Sequence, residues 1–371
     1  MKITMIFNNR IPTERAHGVQ IIKMCEALAI QEAEVELIIP GTPNKIKEGI
    51  FRYYQVKNNF IVKKMWCLNI KENYRIRYFT FILSLLLAKF KKENIIYTRH
   101  PEIAWLYSLL GYRVIFELHN WHKEKKKKYL KQLRKANKII VTTGIIREEL
   151  IGAGFAKEKI IKAPNGVDLE KFNLTENIKE IRAKLSIPQN KIILIYTGNM
   201  SEKKGVYTIL KSIDFLPSEF IAIFVGGMSG DIERFKKSVK DNNRVIVMGH
   251  QPPNRIPLYL KAADILILAN SQENIVEKHY TSPLKLFEYL ASGRAVIASE
   301  VPAIKEFVNE ELVEFFKPDD PEDLARAIKN IKDNNALREK LIKNSLALVK
   351  NYTWEKRADK IISFIKSYES R

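Results

Sequence analysis

The stretch TSPLKLFEYLASGRAVIASE, residues 281–300, joins a helix start to a short apolar run, and the fold turns on how it is read. Ser282 is a good helix cap, Pro283 is tolerated at a first helical position and Gly293 is a terminator, so a helix is expected over 283–292. The run that follows, AVIAS, is unbroken and apolar, as a buried strand would be. Lys285 is the anomaly: it puts a cation in a first turn, where backbone amides already present partial positive charge and an acidic residue is favoured. An anion arriving at that turn accounts for it. Helix N-termini bind phosphate through their amides, and Glu288, one turn later, would accept hydrogen bonds from hydroxyl groups. The alternative is a solvent-facing Lys285 that pairs with Glu288 at i, i+3.

Outward from this stretch the same alternation repeats. KIILIYTG, FIAIFVGG, RVIVMG, DILILAN, RAVIAS and VEFFKP punctuate the second half of the chain. KITMIFN and VELIIP, which flank a helix expected at about 19–29, then IIYTR, RVIFEL and KIIVTT, punctuate the first. Short apolar strands alternating with helical spacing predict an α/β protein with parallel, doubly wound sheets. Two such series predict two Rossmann-like domains facing a central cleft, with ligands at the carboxyl ends of the strands. The expected bounds are 1–172 and 185–352, joined by the polar stretch 173–184. A last helix at about 353–371 is expected to pack back onto the first domain.

Composition bounds the rest. At 371 residues the chain exceeds one ordinary core, and at 46% hydrophobic it is globular. Two cysteines, Cys25 and Cys67, offer neither a disulfide framework nor a metal cluster, which suits a reducing compartment. The chain opens directly into a strand, with nothing resembling a signal peptide, and its longest apolar run, 79–88, is far short of the roughly twenty residues that span a bilayer. A cytoplasmic protein, peripheral on the inner face of the cell membrane, is expected. The net charge of +21 is uneven: residues 1–170 hold 31 Lys+Arg against 16 Asp+Glu, and the remainder 32 against 26. A basic first half could meet anionic lipid, nucleic acid or an acidic substrate, or be a solvated surface.

The unusual residues fall in loops after strands. Gly18 precedes the helix expected at 19–29, where a backbone could approach a ligand closely or simply turn. NYRIRYFTFILSLLLAKFKK is a helix with a broad apolar side and cationic ends, suited to covering a sheet or resting on a membrane interface. His119 ends the strand RVIFEL, whereas His122 lacks that placement, and the lysines at 125–128 must point in several directions and read as a patch. GAGFAK, at 152–157, follows a helix and lacks the last glycine of a dinucleotide fingerprint. GNMSEKKG sets Lys203 and Lys204 in a loop that opens a helix near Val206, another anion site, though without P-loop spacing. Gly249, His250 and Gln251 end a strand near the same edge and could hold a base. No Asp-x-Asp and no His/Cys cluster occurs, so neither metal nor cofactor is expected, and lysines and amides would carry phosphate charge.

HGVQ near the start, PNGVD at mid-chain, YTGNMSEKKG, TSPLKLFEYLASGRAVIAS and the late YTWE together resemble family 4 glycosyltransferases of the GT-B fold. The resemblance implies a retaining glycosyltransferase, hexosyl or related, of the EC 2.4 class. It would hold a nucleotide-diphosphate sugar in the second domain and a hydroxyl acceptor, lipid-linked or polysaccharide, on the first. It also implies roles: Lys204 neutralises the diphosphate, Glu288 accepts from the ribose, Gly18 lies near the diphosphate and His119 contacts the donor sugar. Around them Tyr280, Thr281, Ser282, Pro283, Leu284 and Lys285 supply donor contacts. Two positions depart from the pattern. Asn199 stands where the family commonly has arginine, with Lys203 or Lys285 available to compensate. Tyr280 stands where the first of two paired glutamates is expected, with Glu273 or Glu277 nearby. A front-face path, in which the leaving phosphate helps to take the acceptor proton, is expected, and so is anionic membrane binding by the first domain. A GT-B epimerase of nucleotide sugars is a second reading. A non-catalytic binder of nucleotide sugar or nucleic acid is a third, but the aromatics lie within apolar runs rather than interleaved with basic residues, so no nucleic-acid partner is expected.

Overall fold

A computed structural model describes residues 1–69, 73–119, 126–240 and 242–367. The chain forms two compact units, Met1–Pro164 with Trp354–Arg371, and Asn165–Thr353.

The first unit is built on a seven-stranded sheet ordered β3-β2-β1-β4-β5-β6-β7, in which all the pairings are parallel. The strands are β1 Lys2–Ile6, β2 Glu34–Pro40, β3 Ile61–Met65, β4 Ile95–Thr98, β5 Arg113–Leu118, β6 Lys138–Val141 and β7 Ile160–Lys162. The chain winds outward from β1 to β3, then returns to β4 on the other side of β1, so the order reverses between β1 and β4. The crevice at such a reversal, beyond the carboxyl ends of the strands, is where doubly wound sheets bind ligands.

The second unit has a six-stranded parallel sheet ordered β10-β9-β8-β11-β12-β13, comprising β8 Ile192–Thr197, β9 Phe220–Val225, β10 Val245–Gly249, β11 Ile265–Leu268, β12 Ala295–Ser299 and β13 Glu314–Phe316. Here the order reverses between β8 and β11. Side chains alternate faces along each strand, and the two cores divide accordingly. Ile193, Ile195, Ile221, Ile223 and Leu266 join one apolar cluster, while Leu194, Tyr196, Ala222, Phe224 and Ile265 join the other. Both faces are thus covered, which is why these strands read as continuous apolar runs.

Local structure departs from expectation at several points. The helix expected at 283–292 is Leu284–Ala291, with Pro283 rather than Ser282 in the capping position. The Ser282 hydroxyl instead accepts from the Asn165 backbone amide at 3.4 Å, and the Asn165 side-chain amide donates to the Ser282 carbonyl at 2.6 Å. The helix expected from residue 19 begins at Ala16 and runs to Ile30, so Gly18 lies in its first turn. The stretch expected to link the units includes a helix, Ile178–Lys184, and the division falls earlier, at Pro164/Asn165. The strand β3 escaped the reading because its sequence, IVKKM, is lysine-rich and largely exposed at the sheet edge. Trp354–Lys366 belongs to the first unit, where Trp354, Ala358, Ile361, Ile362 and Ile365 are buried and the helix packs against Ala16–Ile30. No helix of the described residues is long and apolar enough to cross a membrane.

Candidate active site

In the second unit the chemistry gathers where the strand order reverses. The loop after β8 leaves the sheet through Gly198, at φ +128°, and Gly226 crosses it so closely that a Cβ there would stand 2.7 Å from the Gly198 carbonyl oxygen. A short 3-10 turn, Glu202–Lys204, follows, ending at Gly205. Gly205 has φ +68°, and a Cβ on it would lie 1.6 Å from the Ala269 carbonyl oxygen at the end of β11. That glycine is required by the approach of the protein's own backbone.

Lys285 lies inside this arrangement. Its stem is partly reached by solvent, but its ammonium is enclosed and has no hydrogen-bond partner. It sits 4.0 Å from the centre of the Tyr196 ring, and 3.4 Å from where a Cβ on Gly198 would be. The solvent-facing alternative is therefore wrong. Burial, and then the neighbouring Lys204, push the Lys285 ammonium well below its ordinary pKa, against the opposing pull of Glu277 and Glu288. Asn199 Oδ1, Ser201 Oγ and Asn270 Oδ1 are also buried and unpaired in the loops after β8 and β11. Several buried polar atoms left unsatisfied in adjoining loops describe a site shaped for a polar ligand, since each costs free energy while empty-handed.

Lys204 is not free. Its Nζ lies 2.6 Å from Glu277 Oε1, and Glu277 Oε2 accepts from the Asn270 side-chain amide at 2.7 Å. Glu277 is buried, on a π-helical turn, Val276–Tyr280, that also buries Tyr280. A π turn widens the helix by one residue and re-aims its side chains. Glu277, three positions before Tyr280, thereby supplies a carboxylate to this region that Tyr280 itself lacks. Lys203 is exposed and contributes its carbonyl, which accepts from the Ser271 amide at 3.2 Å.

Glu288 is half-buried, and its carboxyl makes no hydrogen bond among the described residues. It does not form the expected i, i+3 ion pair with Lys285. Burial pushes its carboxyl up to about 7, against the opposing effect of Lys285 and Lys171. Thr281, Ser282, Pro283 and Leu284 form the approach to the helix, with Ser282 and Pro283 buried. Gly249 ends β10 at φ +68° and accepts from the Gly226 amide at 2.7 Å. His250 beyond it is exposed, while Gln251 folds back to the Met248 carbonyl at 3.3 Å.

In the first unit His119 ends β5, next to the buried carboxylate of Glu117. Glu117 Oε1 accepts from His119 Nε2 at 2.5 Å, Arg357 Nη2 at 2.6 Å, Gln20 Nε2 at 2.9 Å and Arg99 Nη2 at 3.3 Å, and Oε2 accepts from the Tyr97 hydroxyl. Burial alone would raise the Glu117 carboxyl, but the guanidiniums of Arg357 and Arg99 outweigh it and hold the group well below the usual range. His119 is lowered to about 4, by burial first and then by Arg99, so its imidazole is neutral at neutral pH. Nearby, His100 Nε2 accepts the Asn8 backbone amide at 2.9 Å, which only a neutral ring can do. Gly18 is buried where a Cβ would meet the Tyr54 hydroxyl at 2.3 Å, so protein packing already requires it without a ligand. His122 and Lys125 lie outside the described residues; Lys127 and Lys128 are exposed on the helix Lys126–Leu133.

Glu117, Arg357, Gln20, Arg99 and Asn165 went unrecognised in the sequence. Glu117 alone carried a signal, as a carboxylate inside the otherwise apolar run RVIFEL; the others depend on partners distant in sequence. Among the described residues no group of three His, Cys, Asp or Glu side chains is placed to hold a metal ion.

Comparison with known proteins places this geometry in a family. The model described as Glycosyltransferase Family 4 matches residues 17–171, and that of Glycosyl transferases group 1 matches residues 177–347. An uncharacterized glycosyltransferase of Methanocaldococcus jannaschii is 25% identical over 304 residues, 76% of this chain and 71% of that protein. Alpha-monoglucosyldiacylglycerol synthase of Streptococcus pneumoniae is 27% identical over 286 residues, 74% of this chain but 62% of the synthase. The crystal structure of Anabaena HepE in complex with UDP-glucose superposes with a TM-score of 0.78 at 16% identity, covering 99% of this chain and 100% of HepE, a likeness of fold. With two family models matched in succession along most of its length, on two parallel Rossmann-like sheets of the GT-B type, the chain belongs to the family 4 glycosyltransferases.

Proposed function

We propose that this glycosyltransferase moves a sugar from a nucleoside-diphosphate sugar to a hydroxyl acceptor, with the diphosphate held in the second unit at the ends of β8 and β11. The observation that carries the reading is the enclosed, unpartnered Lys285 ammonium beside the Gly198 loop and the start of the helix Leu284–Ala291. An anion there would give the enclosed Lys285 ammonium a partner and would lie against helix amides that favour negative charge. As the bond to the sugar breaks, charge grows on the leaving diphosphate. Groups already aimed at that charge lower the barrier without reorganising. Lys285 is so placed, and Lys204 joins it by exchanging its contact with Glu277 for phosphate oxygen. Glu288 offers its carboxyl to the ribose, and His119 offers a neutral imidazole to the sugar. No carboxylate stands out as a nucleophile, so retention follows a front-face path in which the departing phosphate takes the acceptor proton.

The S. pneumoniae relative is named for a glycolipid product, and HepE was crystallised with UDP-glucose. A UDP-hexose is therefore the first donor to offer and a lipid the first acceptor. The lipid would be met by the helix Tyr74–Leu87, which leaves Phe79, Leu83, Leu86 and Leu87 exposed beside Arg75 and Lys89. The test is nucleotide release from UDP-, GDP- and ADP-hexoses in the presence of diacylglycerol or glycolipid vesicles, with the product's anomeric configuration read by NMR. Acceptor-dependent release with a retained anomer is expected. An inverted anomer would refute the front-face path, and no release with any donor would refute the transfer reading.

A further inference from the structure

We propose that Arg357, from the last helix of the chain, is a positioning residue that fixes the tautomer and the charge of His119 through Glu117; this rests on reading His119 as the sugar-contacting group. The helix Trp354–Lys366 packs against Ala16–Ile30, and from these two helices Arg357 and Gln20 converge on the same carboxylate oxygen as His119. Arg357 is itself anchored, its Nε donating to the carbonyls of Pro164 at 2.8 Å and Ala163 at 3.3 Å. The Glu117 side chain is fully buried and that of Arg357 nearly so, so their pairing is screened little by solvent.

A carboxylate accepts only, so the hydrogen between Glu117 and His119 belongs to Nε2, and the imidazole must present Nδ1 as an acceptor. A neutral imidazole of that tautomer takes a hydrogen bond from a sugar hydroxyl; an imidazolium could not. A carboxylate alone would draw a proton onto the ring. Burial opposes this first, and the positive charges of Arg99 and then Arg357 on the same carboxylate oppose it further, with His17 as a further titratable neighbour. The chain's C-terminal helix thereby sets the state of a group at the end of β5, 238 positions earlier than Arg357 in sequence.

The experiment uses the full chain with 15N-labelled histidine rings, the His119 signals being identified by their loss in His119→Gln. The wild-type ring is expected to be Nε2-protonated and uncharged across the neutral range. In Arg357→Met, which keeps the apolar stem without the charge, the ring pKa should rise by about one pH unit or more. Arg357→Lys should restore most of the difference, and the acid limb of activity should follow the ring. A ring protonated on Nδ1 in the wild type, or an unchanged ring in a folded Arg357→Met, would overturn the proposal. If Arg357→Met does not fold, Arg357→Gln, which removes the charge but keeps a hydrogen-bonding group, takes its place: a raised ring pKa supports the role and an unchanged one overturns it. The ring is read without substrate, so its outcome is separate from that of the nucleotide-release test.

Discussion

Lys204 and Gly205 are neighbours in sequence and are fixed by different forces. Gly205 is held by sterics: a positive φ and a backbone oxygen where its Cβ would be. Gly205→Ala should destabilise the protein by about 2–4 kcal/mol, measured by denaturant unfolding, and an unchanged midpoint would refute the packing. Lys204 is held by charge, paired with Glu277 at 2.6 Å. Lys204→Ala should slow transfer on the order of a hundredfold or more, and a rate within about twofold of wild type would rule out its role. Glu288 gives a pH signature. Its carboxyl is raised in the folded chain from 4.5 to about 7, so it favours folding when protonated, and that stability is lost as pH rises through this window. In Glu288→Gln the slope of stability against pH across the window should flatten; an unaltered slope would mean that the carboxyl is not buried. At this scale the sequence made Lys285 and Glu288 legible through their positions in a helix start. Glu277 was named only as one of two carboxylates near Tyr280, and Asn165 and Arg357 were not legible, because their partners lie across tertiary contacts to which no local pattern points.

Among the elements, the strands were the most legible, since both faces of each sheet are covered and the segments read as plain apolar runs. The edge strand Ile61–Met65, with two lysines in five residues and mostly exposed, carried no such signal. Helix starts shifted by one to three residues, in one case where the Ser282 hydroxyl accepts from the Asn165 amide. The helix Tyr74–Leu87 has only part of its apolar surface turned inward. Thr80, Phe81, Ser84 and Leu85 are buried, while Phe79 is 68% and Leu87 75% exposed, which is more than a helix covering a sheet needs. An apolar surface flanked by cations fits an anionic membrane interface. The protein should float with phosphatidylglycerol vesicles at low salt, and Phe79→Ser with Leu87→Ser should abolish it. Failure of the wild type to float, or flotation unaffected by the pair of substitutions, would remove this helix from membrane binding.

For the molecule as a whole, two doubly wound sheets were legible from alternation alone, but the place where the chain passes between units was not. Polar composition pointed to residues 173–184, whereas the passage is at Pro164/Asn165 and is matched on return by Thr353/Trp354. There Val167 pairs with Thr353 in a short parallel bridge, a long-range pairing that composition cannot reveal. In the proposed function the second unit holds a nucleoside diphosphate through the enclosed cation at Lys285. The most direct measurement is the thermal stability of the wild type and of Lys285→Met with UDP, GDP and ADP at millimolar concentration. A ligand at about a hundred times its dissociation constant adds roughly 2.7 kcal/mol. The melting temperature of the wild type should rise clearly with one of the three, and the rise should be largely lost in Lys285→Met. No rise with any nucleotide, or an equal rise in the variant, would contradict the claim.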